Sequence, residues 1–355
     1  MAKACQRNYG CRITDDMVYK GMRTLFLENE LIRVGILLDK GADIFQLLHK
    51  QSDTDFMWKS PQGIVNTNEF KESVASSSGS FLDNYHGGWQ DIFPGGGPMV
   101  YRGAEIGLHG EVTQLRWECD IILDTPEWIE VRLQTECIRT PFRLEKKLRL
   151  EKNKPVLMIE EKITNLSTET IDFMWGQHPA IGAPFLKKGV KLFVPVEKVE
   201  VQDPMFAESG KLKPGAEYDW PNVSVEGESL DLSEVAGPEA GFCELLYLKG
   251  LKHGWYAAID PEQRLGLGFS WSKEVFPYIW FWLVYGRSPG YPWWDRVYCI
   301  ALEPWTSIPN SLTKAIERGA QTVIKGGESL SIRFNSVVIT NHDSVSGIDL
   351  DGNVS

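Results

Sequence analysis

What most constrains this chain is the near absence of helical periodicity over its length. Short strand-like runs take its place. Residues 31–38 (LIRVGILL), 131–138, 144–150, 156–164 and 171–175 are rich in branched or aromatic side chains, and several alternate apolar with polar. The pattern resumes at 245–248, 255–259, 265–271, 278–284, 297–302 and 329–339, with Gly, Pro, Asn or Asp in the gaps. One short helix is predicted over 310–319 (NSLTKAIERG), stopped by Gly319. Many closely spaced strands in one chain predict an all-β fold, a large antiparallel β-sandwich. Residues 66–80 are Ser-rich and polar and read as a surface loop, and 187–233 are rich in loops, with Pro at 195, 204, 214 and 221. The β pattern resumes after both, so neither reads as a linker. Residues 1–340 are expected to form a single domain, with 341–355 as a flexible polar tail.

Charge and cysteine use narrow the partners. The chain has 355 residues, with 37 basic and 48 acidic ones, for a net charge of -11. Such a surface repels phosphate backbones and anionic lipid, so neither nucleic acid nor membrane is an expected partner. No apolar run approaches the roughly 20 residues that a bilayer crossing needs. The first residues lack the apolar stretch of a secretory signal. Six scattered cysteines, none spaced as C-x-x-C, fit a reducing cytoplasm better than a disulfide framework. The composition does not fix the oligomeric state.

Four features carry candidate chemistry. Tryptophan is abundant, with 13 copies, seven of them from Trp255 to Trp305; such rings fill cores, and they also make platforms for the apolar faces of sugars. His109 (GLHG) and His178 (WGQHPA) each stand between an apolar stretch and Gly or Pro. Either is a strand-end histidine bonded to a backbone carbonyl, or a side chain presented to a cleft. Glu303 ends the apolar run 297–302 and precedes Pro304 and Trp305. A carboxylate in that setting is partly desolvated, which raises its pKa and suits a general base; the alternative is a strand cap paired with an Arg. The glycine-rich stretch 95–97 has no Gly-Lys-Ser/Thr after it and opens no helix, so it is neither a P-loop nor a dinucleotide fingerprint. No Cys/His cluster has ligand spacing, and neither a metal nor a cofactor is expected.

The order of these pieces resembles a known family. Gly87-Gly88, Phe93-Pro94-x-x-Gly97-Pro98, Leu108-His109-Gly110 and Trp117 are similar to the N-terminal half of the aldose 1-epimerase (galactose mutarotase-like) superfamily, nearer its hexose-6-phosphate mutarotase-like branch. Gln177-His178-Pro179-Ala180 resembles the second histidine motif, and Leu302-Glu303-Pro304-Trp305-Thr306 the C-terminal glutamate motif. The resemblance spans roughly residues 20 to 340. It implies a large sandwich with one monosaccharide-binding cleft. Glu303 would take the anomeric proton, His178 would protonate the ring oxygen, and His109 would hold that oxygen or share the acid role. Ring opening, rotation about C1–C2 and reclosure would then interconvert anomers without metal or cofactor. The free pKa values predict an ionised pair near neutrality, with the proton on the imidazole.

Against that pattern, Thr113 stands where the phosphate branch places Arg, and Cys243 or Glu244 where the galactose branch places a sugar-binding Asp. Gln90, Asp91, Gln177, Glu244 and Trp305 are the candidate substrate contacts. The rival reading is a sandwich that binds carbohydrate without turning it over.

Overall fold

The computed structural model describes residues 7–66, 76 and 78–355. Two antiparallel sheets dominate it. The larger has twelve strands and runs from Arg12–Tyr19 through Trp89–Ile92, Gly176–Ile181, Tyr298–Trp305, Tyr278–Tyr285 and Phe242–Lys249 to Glu217–Asp219. The smaller has eight and runs from Lys191–Phe193 through Ser329–Thr340 to Glu118–Asp124. They pack face to face with the main core between them, as the alternating strands predict.

The eight-stranded sheet shows that alternation plainly. In Phe142–Glu151, Leu144, Leu148 and Leu150 are buried toward the core, while Glu145, Lys147 and Arg149 point outward. The centre of the larger sheet behaves differently, because both of its faces are covered. In Tyr278–Tyr285, Ile279, Phe281, Leu283 and Tyr285 join the inter-sheet core. Trp280, Trp282 and Val284 join a second apolar cluster on the opposite face. A strand covered on both sides reads as one continuous apolar run, hence YIWFWLVY.

The expected helix is present as Leu312–Glu317, with the Ser311 hydroxyl accepting from the Lys314 amide. The expected loop 66–80 lies largely outside the described residues, which exclude 67–75 and 77. Residues 187–233 carry several three- to four-residue strand pairings among their loops, such as Lys198–Val201 with Glu217–Asp219. The expectation of a flexible tail over 341–355 needs correction. Val345 and Ile348 are buried on the outer face of the eight-stranded sheet. Ser270 Oγ donates to the Asp349 carbonyl, and Asn335 Nδ2 bonds the Leu350 carbonyl. Two apolar residues in a polar segment suffice to dock it. No described helix is long and apolar enough to cross a membrane.

Candidate active site

The second cluster, on the face of the large sheet turned away from the sandwich core, surrounds a cleft. Period-2 geometry decides which side chains reach it. Along Gly176–Ile181, Gly176, His178 and Ala180 face the cleft, and Gln177, Pro179 and Ile181 face the other sheet. Along Tyr298–Trp305, Cys299, Ala301, Glu303 and Trp305 face the cleft.

Glu303, His178 and His109, far apart in sequence, meet here. Glu303 Oε1 lies 3.4 Å from His178 Nε2. The two imidazole rings are 5.3 Å apart. Trp305 Nε1 donates to Glu303 Oε2 at 3.0 Å. The Trp305 indole is itself fixed by stacking on Trp280 at 3.7 Å, whose Nε1 donates to the Ser307 carbonyl. Gly176 is required beneath it: a Cβ there would lie 2.2 Å from the Trp305 ring. Trp305 is fully buried, so it positions Glu303 rather than meeting a ligand.

His109 sits at a tight turn with φ of 62°, in the left-handed region that non-glycine residues seldom occupy. Its backbone N–H donates to the Gly96 carbonyl. Gly110 follows at φ 77°, where a Cβ would fall 1.9 Å from the Phe93 carbonyl oxygen. That close approach holds the turn against the Phe93–Gly97 segment and aims His109 inward. Strain of about 1–3 kcal/mol at such a residue persists only where the surroundings enforce it.

Burial decides the protonation states. It pushes the Glu303 carboxyl well above its ordinary range, although the Trp305 bond opposes this. It lowers His178 to about 4, and it lowers His109 well below its ordinary range, with His178 adding to the effect. Burial therefore works against the ionised pair expected from free pKa values and favours the proton on Glu303 with both imidazoles neutral. The number of protons is the same, but a desolvated site favours the uncharged arrangement.

Tyr85, absent from the sequence reading, lies with its hydroxyl 3.3 Å from His178 Nδ1. Burial raises its pKa far above ordinary, so the phenol stays protonated. With Nε2 facing the Glu303 proton, Nδ1 carries the ring hydrogen and the Tyr85 oxygen accepts it. Phe81, Trp282 and Trp293 wall the cleft, and half-exposed Phe206 stands at its rim. The tryptophan density of 280–305 hinted at this box, whereas no local pattern marked Phe81, Tyr85 or Phe206.

The other expected contacts lie elsewhere. Asp91 and Gln177 point between the sheets, where Lys146 bonds Asp91. Gln177 Nε2 donates to Asp91 and Glu161 at 2.7 and 2.8 Å, and Gln177 Oε1 accepts from Trp89 Nε1. Burial and neighbouring Asp91 raise Glu161 well above the carboxylate range. These groups join the two layers and do not line the cleft. Gln90, opposite His178 in register, is tied to Asp43 and the Gly87 carbonyl. Glu244 also points away from the cleft. Its Oε1 accepts from the Lys211 and Leu212 amides, fixing the loop that carries Phe206. Leu245, the next residue, lines the cleft instead.

Among the described residues no His, Cys, Asp and Glu cluster could hold a metal. A wider groove crosses the outer face of the small sheet, lined by Arg132, Glu145 and Lys162. Its charges pair with each other, as in Lys162–Glu145 at 2.5 Å, and it is an ordinary solvated sheet face.

This architecture is the galactose mutarotase-like β-sandwich. A Klebsiella pneumoniae protein provisionally called an aldose 1-epimerase superposes with a TM-score of 0.72 at 14% identity, covering 93% of this chain and 83% of that one. A galactose mutarotase-like protein from Clostridium acetobutylicum gives 0.64 at 16%, covering 93% and 99%. A protein from Synechocystis gives 0.62 at 19%, covering 92% and 99%. Likeness at these identities shows the fold. Residues 19–338 match the model of a family described as a domain of unknown function, DUF4432, and the chain belongs to that family. No curated protein matches it.

Proposed function

We propose that this protein is a mutarotase that interconverts the anomers of an uncharged monosaccharide. The observation that carries the reading is the buried Glu303–His178 pair, 3.4 Å apart at the base of an aromatic cleft. As a sugar enters, its hydroxyls solvate the pair, and the Glu303 proton passes to His178 Nε2. The Tyr85 oxygen, accepting from Nδ1–H, supports the imidazolium. His178 then gives the Nε2 proton to the ring oxygen while the Glu303 carboxylate takes the proton of the C1 hydroxyl. The C1–ring oxygen bond breaks and an open-chain aldehyde forms. Glu303 is protonated again and His178 is neutral, which is the arrangement that burial favours. Desolvation thus raises the energy of the ionised pair formed while the sugar is still cyclic and favours the proton transfers that open the ring; the resting and open-chain complexes hold the same uncharged pair. Rotation about C1–C2 and closure with the roles reversed yield the other anomer. His109, held neutral, hydrogen-bonds the ring oxygen. A positioned acid and base each contribute about 10²- to 10⁴-fold.

Several features support an uncharged substrate. Among the described residues, Glu303 is the one carboxyl lining the cleft, and none of those lining it is Lys or Arg. Thr113, where the phosphate branch has Arg, is fully buried. Glu303, His178 and His109 together also favour turnover over binding alone.

The test is two-dimensional NMR exchange between anomeric protons, over a panel of aldoses and sugar 6-phosphates with catalytic amounts of protein. Enzyme-dependent cross-peaks for a neutral sugar are expected. Binding of a sugar with no acceleration of exchange would instead support the carbohydrate-binding reading, and a clear preference for a phosphate ester would refute the uncharged substrate.

A further inference from the structure

The cleft offers a sugar few groups that can bond its hydroxyls. Of the side chains that face it from Phe242–Lys249, Leu245 has none, and the Tyr247 hydroxyl is already engaged by Gln202 and the Asn310 amide. Asn310 Oδ1 accepts from Gln202 Nε2 at 3.2 Å. The remaining wall is aromatic: Trp282 and Trp293 line it, and Trp58 packs against them at 6.0 and 5.5 Å, ring to ring.

Position within the cleft sharpens this. In the reading proposed above, on which this inference rests, the ring oxygen bonds His178 and His109. C5 is attached to that oxygen, so its exocyclic substituent falls among the neighbours of those two imidazoles. Those neighbours are aromatic: Phe81 at 4.4 Å from the His109 ring, Tyr85 at 5.5 Å and Trp282 at 5.7 Å from the His178 ring. Phe81 and Trp282 are almost completely buried. Among these neighbours the groups able to bond a hydroxymethyl are the unpartnered Trp282 Nε1–H and the Tyr85 hydroxyl, which already contacts His178 Nδ1. Such a group gives up more bonds to water than it regains there, whereas a methyl group is suited to the ring faces of that wall.

We propose that the substrate is a 6-deoxyhexose, in which C6 is a methyl group. An unpaired buried hydroxyl costs enough to make the preference over the parent hexose about ten- to a hundredfold.

Matched pairs separate this from ring stereochemistry: L-fucose with L-galactose, L-rhamnose with L-mannose, and 6-deoxy-D-glucose with D-glucose. For each sugar, kcat/KM comes from anomer exchange by NMR, and Kd from quenching of tryptophan fluorescence. In at least one pair the deoxy sugar should lead by tenfold or more in both quantities. Phe81→Asn and Leu245→Gln, which supply hydrogen-bonding groups, should narrow that ratio; two variants guard against one failing to fold. Parent hexoses equal to or better than their deoxy partners in every pair would overturn the proposal, as would the absence of binding by any of the six. Deoxy-selective binding without accelerated exchange would uphold this inference and remove the mutarotase reading, and exchange without deoxy selectivity would do the reverse.

Discussion

Replacing Glu303 with Gln should make the protein more stable, and by an amount that grows with pH. The carboxyl is fully buried and its pKa is raised well above the ordinary 4.5. The sign follows from linkage. Between pH 4.5 and the raised native value, the folded state holds a proton that the unfolded state has released. Wild-type stability from this group is therefore fully present below pH 4.5 and is lost as pH rises toward the native pKa. The loss is about 1.4 kcal/mol for each pH unit between the two pKa values. Gln removes the titration, fills the same space and still accepts from Trp305 Nε1. His178 titrates in the opposite sense, its native pKa being lowered from 6.5 to about 4; its stabilisation is present above pH 6.5 and lost as pH falls through 4. Since His178 remains in both proteins, that contribution largely cancels in the difference. For a chain this long, each 1 kcal/mol corresponds to roughly 1–2 °C in Tm. Thermal unfolding of both proteins followed by circular dichroism from pH 4.5 to 7.5 measures it. The difference should be near zero at the acid end and widen steadily. A variant less stable by a constant amount at every pH would mean that Glu303 is a structural cap, and would refute the assignment of a desolvated, protonated carboxyl.

Tyr85→Phe removes the acceptor of the His178 Nδ1 hydrogen; kcat for anomer exchange should fall about tenfold to a hundredfold with little change in KM. The limb of the pH–rate profile that reports His178 should also shift, which a merely structural tyrosine would not cause. Gly176→Ala places a methyl group inside the Trp305 ring position and should cost about 1–3 kcal/mol, with a loss of kcat as Glu303 is displaced; wild-type turnover would contradict the supporting role of Trp305. Lys146→Met leaves Asp91 buried without its cation and should destabilise by about 3–5 kcal/mol in urea unfolding. A change below about 1 kcal/mol would show that the network between the sheets is already neutral without the lysine.

The fold was legible because strand period is written locally. Leu144, Leu148 and Leu150 alternate with charged residues, and a sandwich follows from many such runs. The residues given the acid–base roles in the proposed mechanism were legible for a related reason: Glu303 and His178 interrupt apolar strands where a buried polar group needs an explanation. Period alone does not say which face of a sheet is a cleft. Gln177 and His178 are adjacent and point to opposite sides, and so do Glu244 and Leu245; only the arrangement of the second sheet separates them. The same applies to Asp91, whose partner Lys146 lies on a strand of the other layer. Tyr85 escaped notice because its role exists only through contact with His178, 93 residues away in sequence. The polar composition of the tail hides two apolar anchors, Val345 and Ile348.

The central claim is that Glu303 and His178 act as one acid–base unit on a sugar. Anomer exchange by NMR should therefore be measured on Glu303→Gln, His178→Asn and the double variant, each normalised to folded protein. The account predicts that either single change lowers kcat by about 10²- to 10⁴-fold, with the double variant little slower than either one. Exchange by Glu303→Gln at the wild-type rate would contradict it.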